Sequence, residues 1–331
     1  MRKIEDVIRE IKKILLSYPS GKRLPGSRKL AEKLKVSPAT VEKALAVLEE
    51  QGFIVRRERA GSFPAGSRID LLKSAFFFPF SLDEYNARVV AGYISEVGLP
   101  PLVAYFGENF PTDVLLEELK SSVDFVFIVP PPADIKSFTE LEKLLERLSP
   151  TYGSRIYLLD RCVGDSYRCI RFDDMEASRR VGKLLLEKGY RKFLFCYPVN
   201  HLYIPYQRLS GIVSVYREGN VPLDYRKIPG VPSLEEILSY RLIVSAEDYL
   251  TLKILNYVRE NALRVPDDVK IVSFGGYRLV IEHLKEPVVG IVQPLEELGR
   301  VSAKIVKGEL DIKEGEEYLI RFAGFENTEI L

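Results

Sequence analysis

The chain has 331 residues, more than one ordinary core needs, and 46% of them are hydrophobic, which excludes a disordered chain. Its net formal charge of +1 is unevenly placed: residues 1–68 hold 16 Lys and Arg against 8 Asp and Glu, and the remainder holds 32 against 39. A basic module on an acidic body fits nucleic-acid contact confined to one end, and no apolar run approaches the length of a membrane span.

The first predicted element is a helix over Arg2–Ser17, with Ile4, Val7, Ile8, Ile11, Ile14 and Leu15 at helical spacing. Its charged, amphipathic opening predicts no export leader. Ser27 is placed to cap a second short helix whose apolar positions are Leu30, Ala31 and Leu34. Lys35-Val36 leaves room only for a turn. Ser37-Pro38 then restarts a helix, with a capping serine and a proline where the missing N–H is harmless. In this third helix Val41, Ala44, Leu45 and Leu48 share one face, which leaves Ala39, Thr40 and Lys43 on the other. Phe53-Ile54-Val55 and Ser62-Phe63 predict a small two-stranded wing tipped by Arg59-Ala60-Gly61, and Arg56, Arg57 and Arg59 are candidates to reach phosphates or a minor groove. A helix that presents its first turns outward is the arrangement with which a helix-turn-helix enters a major groove.

Residues 24–63 resemble the winged helix-turn-helix of GntR-type bacterial regulators. Leu24-Pro25-Gly26-Ser27-Arg28-Lys29-Leu30-Ala31 is similar to that family's "LPSER-x-LA", Ser37-Pro38-Ala39-Thr40-Val41 to its recognition-helix start, and Leu48-Glu49-Glu50-Gln51-Gly52-Phe53-Ile54 to its helix exit. Arg59-Ala60-Gly61-Ser62-Phe63 stands where the family has its "GxGTFV" wing. The resemblance implies a DNA-binding domain over residues 1–66, with Arg28, Lys29, Ser37, Ala39, Thr40, Lys43, Arg59 and Gly61 at the DNA. It also exposes two departures: family arginines are replaced by Pro38 and Glu42, and Glu42 would repel any phosphate it faced.

Gly, Pro and Ser at Pro64–Arg68 predict a flexible joint, so a linker is set at 67–73. Beyond it, short apolar runs alternate with amphipathic stretches. Strands are predicted at Ala75–Pro79, Leu102–Phe106, Phe125–Val129, Ile156–Leu159, Arg168–Phe172, Phe193–Cys196, Leu242–Ser245, Val269–Phe274 and Val288–Val292. Helices are predicted at Glu84–Val97, Thr112–Ser121, Phe138–Arg147, Met175–Lys188 and Glu247–Asn261, among others. The fold class is therefore α/β, with two parallel sheets covered by helices. Cys162, Cys169 and Cys196 are an odd number without CxxC spacing, so free thiols in a reducing cytoplasm are expected. His201 and His283 stand near no metal-spaced partner, and no phosphate-binding glycine loop is present, so no metal and no cofactor are expected. Asp173-Asp174 lie at a strand-to-helix turn, where Asp174 is expected to cap; adjacent carboxylates are no hydrolytic pair, and an enzyme is not expected.

The body resembles the effector domain of LacI and periplasmic sugar-binding proteins. Leu159-Asp160-Arg161, Phe172-Asp173-Asp174, Arg208-Leu209-Ser210-Gly211, Val265-Pro266-Asp267-Asp268-Val269-Lys270-Ile271-Val272-Ser273-Phe274 and Val292-Gln293-Pro294-Leu295-Glu296-Glu297-Leu298-Gly299 are each similar to a motif of that family. A GntR-type reader on such a sensor is the arabinose-repressor-like arrangement. The resemblance implies a two-lobed domain over 74–331, with lobe 1 at about 74–160 and 293–331 and lobe 2 at about 161–292. A ligand would lie between the lobes, at the carboxyl ends of the strands. Candidate effector contacts are Phe78, Arg161, Arg208, Asp248, Tyr277 and Gln293, with Phe80 a weaker one. The bland readings are an ion pair for Arg208, a helix cap for Asp248 and core packing for the aromatics. The family's "FDD" is Phe274-Gly275-Gly276 here, which deletes a carboxylate expected to bind sugar hydroxyls. The implied function is a cytoplasmic, homodimeric regulator that binds operator DNA and is released by a sugar or sugar-derived effector. The alternatives are a sugar-binding protein with no regulatory role, a carbohydrate enzyme, and a regulator that has lost its effector.

Overall fold

The computed structural model describes residues 4–17, 22–57, 60–64, 73–79, 84–106, 123–131, 135–164, 166–199, 203–275 and 287–331. The head contains α1 (Ile4–Ser17), α2 (Ser27–Leu34), α3 (Pro38–Glu50) and an antiparallel pair, β1 (Ile54–Arg57) and β2 (Gly61–Pro64). The apolar stripes read from the sequence close on one another: Val7, Ile11, Leu15, Leu30, Leu34, Val41, Leu45, Leu48 and Ile54 form one buried core. Ser37 caps α3 by accepting from the Thr40 N–H at 3.1 Å, with Pro38 in the first turn. The cap of α2 differs from expectation. Gly26 holds the cap position in extended backbone and Ser27 is already helical, with no side-chain capping bond. Lys35 ends α2 in the left-handed region, φ 55°, which lets the chain reverse within the tight turn.

The body has two six-stranded sheets. The first contains β3 (Ser74–Phe78), β4 (Leu102–Tyr105), β5 (Phe125–Ile128), β6 (Ile156–Leu159), β7 (Arg168–Phe172) and β13 (Glu317–Ile320), in the order β13-β7-β6-β5-β3-β4. The second contains β8 (Lys192–Tyr197), β9 (Asp224–Pro229), β10 (Leu242–Ser245), β11 (Lys270–Gly275), β12 (Val289–Val292) and β14 (Gly324–Glu326), in the order β14-β12-β11-β10-β8-β9. Every pairing is parallel except β12 with β14. The two sheets repeat one winding, although the sequence shows no internal repeat. The central strands β3, β5, β6 and β10 are buried along their whole length, as continuous apolar runs require when helices cover both faces.

On one face of the first sheet lie α4 (Glu84–Val97) and α10 (Leu295–Lys307); on the other, α5 (Ile135–Tyr152) packs Leu141, Leu144, Leu145 and Leu148. The second sheet carries α6 (Asp174–Glu187) and α7 (Tyr203–Glu218) on one face, and α8 (Leu234–Tyr240) and α9 (Asp248–Glu260) on the other. Each of the first-named pairs crosses at glycines. A β-carbon at Gly92 or Gly299 would overlap the facing backbone of the α4–α10 pair, and one at Gly211 would lie 2.6 Å from Ser178 Cβ on α6.

The chain passes between the lobes three times, at 172–174, 292–295 and 320–324. The passages are tied together: Asp173 N–H donates to Ile320 O at 2.9 Å, and Ala323 N–H to Val292 O at 3.0 Å. The first passage thus falls after β7 rather than near residue 160, because β7 pairs with β6. Likewise the C-terminal β14 joins the second sheet. The helix expected at Thr112–Ser121 lies outside the described residues.

The cysteine expectation needs correction. Cys162 and Cys169 are joined by a disulfide, Cα to Cα 5.7 Å, because the β6–β7 connection folds back and sets Cys162 beside the start of β7. Cys196 alone is free, and it is buried. Burial pushes its thiol up to about 12. The cysteines therefore no longer argue for a reducing compartment. No helix among the described residues is long and apolar enough to cross a membrane.

Candidate functional site: a nucleic-acid face and an interlobe cleft

The outward side of the head is built by α2, the turn and α3. Arg28, Lys29, Ser37, Ala39 and Lys43 are exposed and Thr40 is half-buried. A groove of about 770 Å³ runs along this side, lined by Arg28, Lys35, Ser37, Pro38 and Thr40 among others. Ser37 Oγ and Thr40 Oγ1 share a hydrogen bond of 2.8 Å, which holds both hydroxyls at the mouth of α3. Gly61 opens β2 with φ 98°, and a β-carbon there would lie 2.5 Å from Arg23 Nε. Arg59 lies outside the described residues.

Glu42 does not stand as an isolated repelling charge. Arg56 of the wing reaches back to α3, with Nη1 3.1 Å from Glu42 Oε2 and Nε 3.2 Å from Glu49 Oε2. The acid is matched within the protein, and the wing is tied to the helix beside it. Arg56 is therefore engaged and does not extend toward phosphates as the sequence suggested. Arg57 lies over the Phe63 ring at 5.0 Å.

The second candidate site is the junction of the lobes, where β6, β10 and β11 end. Arg208 on α7 is 5% exposed. Its Nε and Nη2 each lie 2.7 Å from Asp174 Oδ1, and its Nη1 donates to the carbonyl of Ala246. The Arg-x-x-Gly spacing explains this reach. Gly211, one turn on, admits α6 so closely that Asp174 at its start meets the guanidinium. Asp173, not Asp174, caps α6, accepting from the Glu176 N–H at 3.0 Å. Burial pairs Arg208 with Asp174, the ion pair weighed for Arg208 in the sequence, and the cap expected of Asp174 falls to Asp173.

Asp248 opens α9 and is 2% exposed. It does not hold the cap position, which Glu247 takes without a capping bond. Asp248 Oδ1 accepts from Ser273 Oγ at 3.0 Å, and Ser273 shares a 2.6 Å hydrogen bond with Thr251. A β-carbon at Gly275 would overlap the Asp248 carboxylate. The missing aspartate of the strand end thus has a physical reason, because its space holds a carboxylate from the neighbouring helix.

Arg161 follows β6 and faces the second lobe. Its Nη1 donates to Pro130 O at 2.8 Å and its Nη2 lies 3.5 Å from Asp160 Oδ2, while Nε is buried with no hydrogen-bond partner. Glu247, just past β10 on the second lobe, is half-buried, and its carboxyl has no hydrogen bond to any described residue. Burial raises its pKa against the pull of Arg208 and Arg161. Sequence reasoning missed Glu247; its place directly before Asp248, just past a buried strand, was the available signal. Gln293 is half-buried on the second passage, its N–H donating to Gly275 O at 2.9 Å. Phe78 is fully buried and stacks with Phe76 at 6.2 Å, so it is core and not a wall for a ring. Tyr277, Phe80, His201 and His283 lie outside the described residues. Among the described residues no group of three or more His, Cys, Asp or Glu is disposed to hold a metal.

Residues 3–63 match the family of bacterial regulatory proteins called gntR, and residues 183–321 match a periplasmic binding protein-like domain. The chain is 24% identical over 337 residues to the arabinose metabolism transcriptional repressor of Halalkalibacterium halodurans, covering 87% of this chain and 83% of that one. It is 25% identical over 149 residues to the HTH-type transcriptional regulator CelR of Thermobifida fusca, covering 41% of this chain and only 44% of CelR. Among solved structures it resembles the complex of transcriptional regulator CelR with cellobiose, at TM-score 0.57 and 18% identity over 98% of both chains. It also resembles a LacI family transcriptional regulator from Enterococcus faecium with bound ribose, at TM-score 0.58 and 20% identity, covering 77% of this chain and 97% of that one.

Proposed function

We propose that the chain, whose residues 3–63 match the gntR family and whose residues 183–321 match a periplasmic binding protein-like domain, is a ligand-responsive, DNA-binding transcription regulator. In this reading it represses carbohydrate-utilisation genes in the cytoplasm until a sugar or sugar-derived effector releases it. One observation carries the reading. An exposed basic face around the Ser37-capped helix sits on a body whose two lobes meet at polar, buried strand ends.

Arg28, Lys29 and Lys43 would meet phosphates, while Ser37, Ala39, Thr40 and Gly61 would lie against the groove, with Arg59 at the wing tip. A homodimer would present two heads to half-sites one helical turn apart or a multiple of it. A ligand between the lobes would favour one lobe arrangement and thereby one spacing of the heads. By linkage, DNA must weaken that ligand by the same factor by which the ligand weakens DNA binding. The test is fluorescence anisotropy of labelled duplexes from upstream of the gene and its neighbours, with and without a panel of sugars. Salt-sensitive binding that one sugar weakens is the expected result. Absence of salt-sensitive binding to every such duplex counts against the reading.

A further inference from the structure

Among the described residues the junction carries one open donor nitrogen on the first lobe and one open carboxyl on the second. Arg161 Nε–H is buried on the first lobe without an acceptor among the described residues. Glu247 is half-buried just past β10 on the second, within electrostatic reach of Arg161, and its carboxyl has no hydrogen bond among the described residues. A buried donor and a desolvated acceptor left open cost stability unless something satisfies them, and functional sites are where such groups collect.

The other charges nearby are already matched. Arg208 gives its nitrogens to Asp174 and to the Ala246 carbonyl. Arg171, further along the junction, gives Nε and Nη2 to Glu317. Asp248 is turned inward to Ser273. Neither Arg208 nor Arg171 therefore offers the two-pronged fork with which arginine holds a phosphate or carboxylate. Around the junction the described charges include Arg161, Arg171, Arg208 and Lys253 against Asp160, Asp173, Asp174, Glu247, Asp248 and Glu317, an acidic balance.

We infer that Arg161 and Glu247 are the two jaws that select the effector, and that they select an uncharged polyhydroxylated ligand over a phosphorylated or acidic one. A hydroxyl or ring oxygen accepts from the single open Nε–H on one lobe. A second hydroxyl of the same molecule donates to the Glu247 carboxylate on the other. A molecule that does both bridges the lobes, whereas an anion meets Glu247 and finds no free fork. This inference rests on the sensor reading above and narrows it to a ligand class and a pair of residues.

The experiment is calorimetric titration of the full chain. One panel holds L-arabinose, D-xylose, D-ribose, D-glucose and cellobiose; a matched panel holds D-ribose 5-phosphate, D-glucose 6-phosphate and D-gluconate. The expected result is a neutral sugar that binds at least tenfold more tightly than its charged counterpart. E247A and R161A should each weaken that sugar at least tenfold at unchanged fold, checked by circular dichroism. E247Q, nearly the same shape, should weaken it less than E247A because one acceptor remains. Tighter binding of a charged compound, or E247A and E247Q both within twofold of the parent, overturns the inference while leaving a working sensor. Silence of the parent protein toward both panels, with operator binding intact, overturns the sensor reading and the inference with it.

Discussion

Arg208 and Gly275 show how much a single position depends on one neighbour. Deleting the Arg208 side chain would strand Asp174, which is 3% exposed, as an uncompensated buried charge. R208A is therefore expected to destabilise the protein by about 3–5 kcal/mol in denaturant unfolding, whereas R208M combined with D174L should recover most of that loss. An R208A protein of unchanged stability that merely binds ligand less well would contradict the paired geometry. At Gly275 the constraint is steric. G275A would drive the Asp248 carboxylate off Ser273 and is expected to cost about 1–3 kcal/mol. Because the conflict is with one side chain, G275A and D248A should be non-additive by at least about 1 kcal/mol in a double-mutant cycle. Additive losses would mean the overlap is relieved elsewhere.

The elements differ in how plainly the sequence announces them. Ile156–Leu159, Arg168–Phe172, Leu242–Ser245 and Glu84–Val97 were legible to their ends: the first and third are continuous apolar-rich runs, Arg168–Phe172 keeps Cys169, Ile170 and Phe172 between two arginines, and the helix keeps one apolar stripe. Of the body's edge strands, Leu102–Tyr105 was anticipated to within a residue and the others were not. Asp224–Pro229 alternates charge with apolar residues, Glu317–Ile320 is short, and Gly324–Glu326 offers one aromatic, since an edge has only one strand neighbour and needs few apolar side chains. The helix Tyr203–Glu218, which carries Arg208, was also not placed; its Pro, Ser and Gly hide a stripe that forms only against α6. The partnership of Cys162 with Cys169 was illegible for a related reason, since only the backward fold of the β6–β7 connection makes them neighbours. Closing so short a loop, with sequence separation 7, stabilises by about 2–3 kcal/mol in the chain-entropy account. Calorimetric scans with and without reductant should therefore differ by roughly 3–4 °C. A coincident pair of scans would mean the bond contributes nothing.

For the molecule as a whole, the charge split read from the sequence became a division of labour between head and body. The contact between them is small but charged: Arg9 Nε of α1 lies 4.0 Å from Asp124 Oδ1, just before β5. Arg155 beside them is held down to about 10 by burial and by Arg9. If the basic face meets DNA as proposed, affinity should fall linearly on a log–log plot against salt. K43A should lower that slope by about one while weakening all sequences alike, and T40A should weaken the preferred duplex most. Equal effects of T40A on preferred and random duplexes would remove Thr40 from sequence reading. The overall plan was legible because motifs of both modules stand in order along the chain. The working chemistry of the junction was not, because Glu247, Asp174 and Arg161 come from separate elements and meet only after folding.

The triple passage between the lobes also bears on synthesis. The first sheet lacks α10 and β13, and the second lacks β14, until the C-terminal stretch has left the ribosome. The head, whose core is continuous in sequence, can fold at once. The head can thus be complete on each nascent molecule before either lobe is, and a chain cut short near its end would keep a folded head on an unfinished body.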